Sequence, residues 1–279
     1  MIYSMTMFFN EYDLLDLKIK EELPHIDKMV IVESTITHMG NPKPLNFPDK
    51  YKNNDKIIYL VTEEDLYKNC GKTTSWKMER EIIQRDYPIK VLPIEDSDIV
   101  ISSDLDEIIN GEMIEQIVYE TRNRGLIRLS MRQFYYYINV LVKGYFWNHP
   151  YAWIGQVCRK YGDLDMHRAH TRQAGYKLPN CGNHLAYLGG YEKVLYKIQN
   201  YSHADLFATP QLEIDLKNKI KNLESINPIG AMGGFDKNGN GLSMDFNPKK
   251  VIIDIDELHP KTIRENIKDW TKYIRNKEM

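Results

Sequence analysis

Asp104-Leu105-Asp106 follows directly on the apolar run Asp98-Ile-Val-Ile-Ser-Ser103, and that position suggests what the two carboxylates could do. Side chains two apart on a strand point to opposite faces. Where a strand ends and the backbone turns, both can converge on one hard cation. Mg²⁺ or Mn²⁺ held by one or two carboxylates keeps several positions for phosphate oxygens. An open α/β sheet binds its ligands just beyond the carboxyl ends of its strands. In an arbitrary context Asp-x-Asp is a solvated turn; after a buried strand it reads as a metal-diphosphate site.

Other groups fit the same chemistry. Glu33 closes the short run Lys28–Glu33, where a carboxylate can accept from a base N–H or a ribose hydroxyl, or simply cap a helix. Asn10 and Glu11, after the first strand, carry the same two readings, and Asn10 is also a good N-cap. Lys77, Arg80 and Arg85 share one helical segment, so part of one face can turn toward a diphosphate. The alternative is a solvated face paired with Glu79 or Glu81. Gly189-Gly190 would let the backbone approach a ligand closely, or simply make a strand-to-helix turn. Two acidic runs are set aside. Asp254-Ile-Asp256 lies too near the C-terminus to organise a site built from the first half. Asp236-Lys-Asn-Gly-Asn-Gly241 starts like a calcium loop but has Asn247 where a bidentate glutamate is required.

The elements that must position these groups follow from periodicity. Met1–Met7, Lys28–Glu33, Lys56–Val61 and Asp98–Ser103 read as strands. Glu11–Leu23 reads as a helix with Leu15, Ile19 and Leu23 four apart, and Ser75–Tyr87 as one stopped by Pro88. That alternation implies a mostly parallel, helix-covered sheet over residues 1–110. Beyond it, Glu112–Asn123, Tyr191–Asn200 and Gln211–Ser225 read as helices. Leu126–Met131 and the aromatic run Phe134–Asn139 read as strands of a more mixed sheet. With no repeat or linker, the expectation is one domain over 1–279.

Composition narrows the class. A net charge of -2 gives no pull toward nucleic acid or an anionic membrane. The 19 tyrosines suit sugar ligands, or plain β structure. Three scattered cysteines build neither a disulfide framework nor a four-ligand zinc site. Residues 1–9 have no basic n-region, and no apolar run reaches membrane-span length, so a cytoplasmic protein without an anchor is expected.

Four segments stand out when read together: Phe9-Asn-Glu-Tyr-Asp-Leu-Leu-Asp16; Val30-Ile-Val-Glu-Ser-Thr35 with Gly40-Asn-Pro-Lys-Pro-Leu45; Trp76-Lys-Met-Glu-Arg80 with Gln84-Arg85-Asp86 and Ser103-Asp-Leu-Asp-Glu-Ile108; and Gly182-Asn-His-Leu-Ala-Tyr-Leu-Gly-Gly190 with Lys197 and Ser202-His203. Together these segments resemble glycosyltransferase family 17. The resemblance implies a GT-A-like α/β fold with a nucleotide-binding half over 1–110 and an acceptor-binding half over 111–279, and inverting transfer from a nucleotide-sugar donor, a UDP-sugar such as UDP-N-acetylglucosamine, to a glycan or other hydroxyl acceptor. It implies Mn²⁺ or Mg²⁺ on Asp104, Asp106 and, by chain order, His203. It implies a base at Glu192 or Asp205, and acceptor contacts at His184 and Tyr187. The family's aromatic before the histidine is Asn183 here and its Phe-Ser after it is Leu185-Ala186, changes expected to bear on the acceptor. Two alternatives remain: a silent nucleotide-sugar-binding module, and a phosphatase of the haloacid dehalogenase type. The latter places its pair after the first strand with Thr or Val following, whereas Glu107 follows here.

Overall fold

The computed structural model describes residues 1–68, 70, 76–161, 175–201, 209–226 and 248–277, with backbone alone at 76–78 and 161. Strands β1 (Ile2–Phe8), β2 (Lys28–Ser34), β3 (Ile57–Thr62) and β4 (Ile99–Ser102) form where the apolar runs predict them. Met29 and Ile31 pack into one buried cluster, Val30 and Val32 into another. A run with no polar position is thus a strand covered on both faces. Helix α1 (Tyr12–Glu22) joins β1 to β2, the single turn α2 (Asp49–Lys52) precedes β3, and α3 (Trp76–Val91) joins β3 to β4.

These four strands pair in parallel, in the order β4-β1-β2-β3. The chain therefore leaves β1 toward β2 and later returns to the other side of β1. That reversal opens a crevice beyond the carboxyl ends of β1 and β4, where α/β sheets bind ligands.

The second half continues the same sheet. Its elements are β5 (Glu107–Ile109), α4 (Ile114–Arg124), β6 (Leu126–Tyr135), β7 (Val140–Trp147), β8 (Tyr151–Ile154), α5 (Gly155–Tyr161) and β9 (Tyr176–Ala186). They continue with α6 (Gly190–Asn200), α7 (Pro210–Asn222), β10 (Lys250–Ile252) and α8 (Lys261–Glu265). Strand β8 lies antiparallel between β4 and β6, β9 runs parallel to β6 and carries β5, and β7 and β10 extend the edge. The α/β class expected from the sequence, parallel at first and mixed later, is the one adopted. Among the described residues no helix is long and apolar enough to cross a membrane, and Cys70, Cys158 and Cys181 are free thiols.

Two local expectations are corrected. Helix α3 does not stop at Pro88 but runs to Val91. Proline forfeits one helical hydrogen bond and crowds the preceding turn, and here the packing of Ile89 and Leu92 against a buried cluster offsets that loss. The aromatic run is not one strand: β6 ends at Tyr135, and Tyr136 turns to φ 65°. Of the two readings of the tyrosine surplus, structure claims a share: Tyr3, Tyr67, Tyr135, Tyr136, Tyr151, Tyr187 and Tyr273 are buried.

Candidate active site

The acidic pair sits in the turn from β4 to β5. The turn closes on itself: the Asp104 N–H donates to the Glu107 carboxylate and the Glu107 N–H to the Asp104 carbonyl (3.0 Å). Trp147, from β7, donates its indole N–H to the other Glu107 oxygen. The Leu185 N–H of β9 holds the Asp106 carbonyl at 2.7 Å. Strand β9 can lie this close because residue 182 is glycine; a Cβ there would stand 2.0 Å from the Ile108 carbonyl oxygen.

Each aspartate meets a different cation. Arg85, from α3, pairs with Asp104 and also holds Glu81 at 2.6 Å. Lys197, from α6, lies 2.8 Å from Asp106 Oδ2 and 3.3 Å from Glu11 Oε1, so one ammonium bridges the acids that follow β4 and β1. His184 Nε2 stands 3.7 Å from Asp106 Oδ2, an ion-pair distance too long for a hydrogen bond. Burial pushes the Asp106 carboxyl up, but the charge of Lys197 and then the proximity of His184 outweigh it and hold the group ionised, far below the usual carboxylate range. Burial acts on Lys197 in the opposite sense and is outweighed by Asp106 and Glu11, leaving the ammonium well above its ordinary value. The His184 ring packs on Trp147 with centroids 4.2 Å apart, and its Nδ1 is buried with no hydrogen-bond partner among the described residues.

The sequence-derived candidates divide. Glu11, Arg85, Asp104, Asp106 and His184 come together at the crevice. Asn10 lies beside them, its N–H directed at Glu11 Oε2 (3.3 Å), but it is not the helix cap; Glu11 is. Glu33 is fully buried and receives Lys43 (2.6 Å), the N–H groups of Asn46 (2.7 Å) and Phe47 (3.1 Å), and the Tyr59 hydroxyl (2.7 Å). It braces the 43–47 loop, and no oxygen is left turned to a ligand. Arg80 packs at Gly40 and donates to the His38 carbonyl (3.2 Å), well separated in role from Arg85. The Lys77 side chain, His203 and Asp205 lie outside the described residues.

Gly189 and Gly190 have φ of 122° and 81°, a left-handed entry into α6 that sets the direction of Lys197. Glu192 is exposed on the first turn of that helix, on the face of Tyr196, whose ring stacks on Phe9 at 5.5 Å. Tyr187 is buried against Tyr135 and Tyr136. Asn183, Leu185 and Ala186, the departures from the family pattern, are buried too. Asn183 accepts from Arg132 (3.2 Å) and donates to the Leu258 carbonyl (3.1 Å), so these changes serve packing rather than an acceptor surface. Lys197, Glu107 and Trp147 had no assigned role in the sequence reading. Lys197 lies four residues after Lys193 on an amphipathic helix, a spacing shared by countless solvated faces.

Among the described residues no group of three or more histidines, cysteines or carboxylates is placed to hold a metal ion, and Asp104 and Asp106 are paired with Arg85 and Lys197 respectively.

A family model described as glycosyltransferase family 17 matches residues 1–223. Human and rat proteins named beta-1,4-mannosyl-glycoprotein 4-beta-N-acetylglucosaminyltransferase are each 24% identical over 155 residues, covering 50% of this chain and 26% of theirs. The chain thus spans about a quarter of the length of those relatives. Among solved structures, S. aureus TarS 1-349 in complex with UDP-GlcNAc is 13% identical with a TM-score of 0.40, covering 79% of this chain and 71% of that one. The 4-diphosphocytidyl-2C-methyl-D-erythritol synthase is 11% identical with a TM-score of 0.35, covering 64% and 88%. With the family model spanning most of the chain, including the acidic turn and the lysine that bridges it, the chain belongs to glycosyltransferase family 17.

Proposed function

We propose that this protein transfers a sugar, N-acetylglucosamine by the names of its relatives, from a nucleoside-diphosphate donor to a hydroxyl of a glycan acceptor with inversion. Family membership supports the reaction class, and one observation carries the assignment of the site. Asp106 and Glu11, from the two strands that flank the topological switch, share the ammonium of Lys197 at the mouth of the crevice. Two carboxylates to one ammonium leave the cluster with net negative charge, which favours a cation that would in turn meet the phosphates of a donor.

Asp104 and Asp106 would hold Mn²⁺ or Mg²⁺, joined by His203. The metal supplies Lewis-acid stabilisation of the charge that grows on the departing diphosphate. Lys197 and Arg85 add positive charge on either side of the same turn. Glu192, exposed at the start of α6, takes the proton from the acceptor hydroxyl as it attacks; Asp205 is the second candidate. Trp147 and His184 form an aromatic wall that limits water at the turn, where hydrolysis competes with transfer.

The test is release of nucleoside diphosphate from a panel of sugar donors with Mn²⁺, with and without glycan acceptors. The expected result is acceptor-stimulated release that EDTA suppresses. Release of phosphate from simple esters would instead favour the phosphatase reading. Donor binding without turnover would favour a silent binding module.

A further inference from the structure

Lys18 lies mid-helix in α1 and has no solvent exposure. Its Nζ lies 2.9 Å from Glu22 Oε1, 2.8 Å from Ser103 Oγ and 2.8 Å from the Glu107 carbonyl, with the Asp104 carbonyl at 3.5 Å. The three shorter contacts use all three ammonium protons. Glu22, equally buried, also accepts from the Ile109 N–H (2.9 Å) and the Ser4 hydroxyl (2.7 Å).

Burying such a pair costs several kcal/mol per ion before the mutual attraction is counted, and apolar side chains of similar volume fill a core as well or better. They could not tether a hydroxyl and a carbonyl on opposite sides of one turn to a single fixed point. Ser103 precedes the Asp104-Leu105-Asp106 segment and Glu107 follows it. The helix that carries Lys18 is locked by Leu14, Leu15, Leu17 and Ile19, all in the main core.

We propose that Lys18 is a positioning residue: from inside the core it fixes the backbone on both sides of the acidic turn and so sets where the Asp104 and Asp106 carboxylates stand against the donor phosphates. The proposal rests on the transferase reading for its catalytic consequence, but its structural half is testable without turnover. A misplacement of about 1 Å at a reacting centre can cost about 10²-fold in rate.

Lys18→Met alone strands the buried Glu22 charge and puts folding at risk, so the informative variant is Lys18→Met with Glu22→Gln, which removes both charges and keeps an acceptor for Ile109. Asp256→Ala, whose side chain contacts Arg132, Leu258 and His259 and not the turn itself, is the control for destabilisation alone. In the full-length double variant, kcat per folded molecule should fall about 10- to 100-fold with the donor KM within about threefold, the pattern of a lost transition-state interaction. Asp256→Ala should keep kcat per folded molecule. Amide exchange at Asp104 and Glu107 should quicken at least about tenfold in the double variant while β1 and β2 stay protected. Unchanged exchange at the turn, or kcat per folded molecule within about twofold of wild type, overturns the proposal. Wild-type protein that transfers no sugar, with the turn loosened in the variant, sinks the transferase reading and leaves the positioning role standing.

Discussion

Asp106 is nearly buried and shares Lys197 with Glu11, so a substitution there does two things at once. Asp106→Asn should lower transfer by about 10²- to 10³-fold, the usual loss when one preorganised electrostatic group is removed. It should also cost about 1–3 kcal/mol of stability, because Lys197 loses its nearer partner. Activity assays and urea unfolding of the same preparation measure both; a variant with wild-type turnover at saturating Mn²⁺ would end the metal assignment. Glu192→Gln should retain stability and donor binding, since the side chain is exposed, while kcat falls by about 10²-fold. Full activity in that variant, with loss in Asp205→Asn, would transfer the role of base to Asp205.

The C-terminal segment shows how one sequence pattern can belong to different elements. Asp254-Ile-Asp256 resembles the acidic turn, yet Asp256 forms a bidentate pair with the buried Arg132 of β6 (2.8 and 2.9 Å). Beside it, His259 is buried against Phe134, with Nδ1 2.8 Å from Asp256 Oδ1 and close to Arg132 and the Asp256 N–H, and with Nε2 3.1 Å from the Ile138 carbonyl. Asp256→Ala should cost about 2–3 kcal/mol by stranding Arg132, whereas Asp254→Ala, at an exposed pair with Lys277, should stay within about 0.5 kcal/mol. Burial and the Arg132 charge lower the His259 pKa below 6.5, against the pull of Asp256. A folded-state value below the unfolded one means that the unfolded chain binds more protons in that range. Stability should therefore be full above the ordinary histidine value and decline as the pH falls below about 6.5. Urea midpoints across pH 5 to 8 would show this, and His259→Asn should flatten the decline.

At the scale of the whole molecule, the two halves share one sheet. Strand β4 is paired on one side with β1 and on the other with β8, and β5 is held by β9. Glu21 of α1 accepts from the N–H groups of Gly111, Lys261 and Thr262, tying the first helix to the C-terminal segment. The protein should then unfold in one transition, with far-ultraviolet circular dichroism and tryptophan fluorescence coincident. A 1–110 fragment should lack native near-ultraviolet structure. Two separated transitions, or a folded 1–110 fragment, would show the halves to be independent domains.

Local sequence was sufficient for what local physics controls. The apolar runs of β1, β2, β3 and β4, the four-residue spacing in α1 and the place of Asp104-Leu105-Asp106 at a strand end all follow from side-chain periodicity, and the family segments are contiguous enough to be recognised by eye. What depended on tertiary structure was which charge meets which. Glu33 ends one early strand run and Glu11 follows another, with nothing local to tell their roles apart, yet folding surrounds Glu33 with Lys43, Asn46, Phe47 and Tyr59 and leaves Glu11 facing Lys197. Arg80 and Arg85 share a helix, but only Arg85 lies over the acidic turn. Lys18, an unremarkable charge on an amphipathic pattern, becomes the buried anchor of that turn. Long-range electrostatic pairing is decided by which elements the sheet order brings together, and side-chain periodicity carries no record of it.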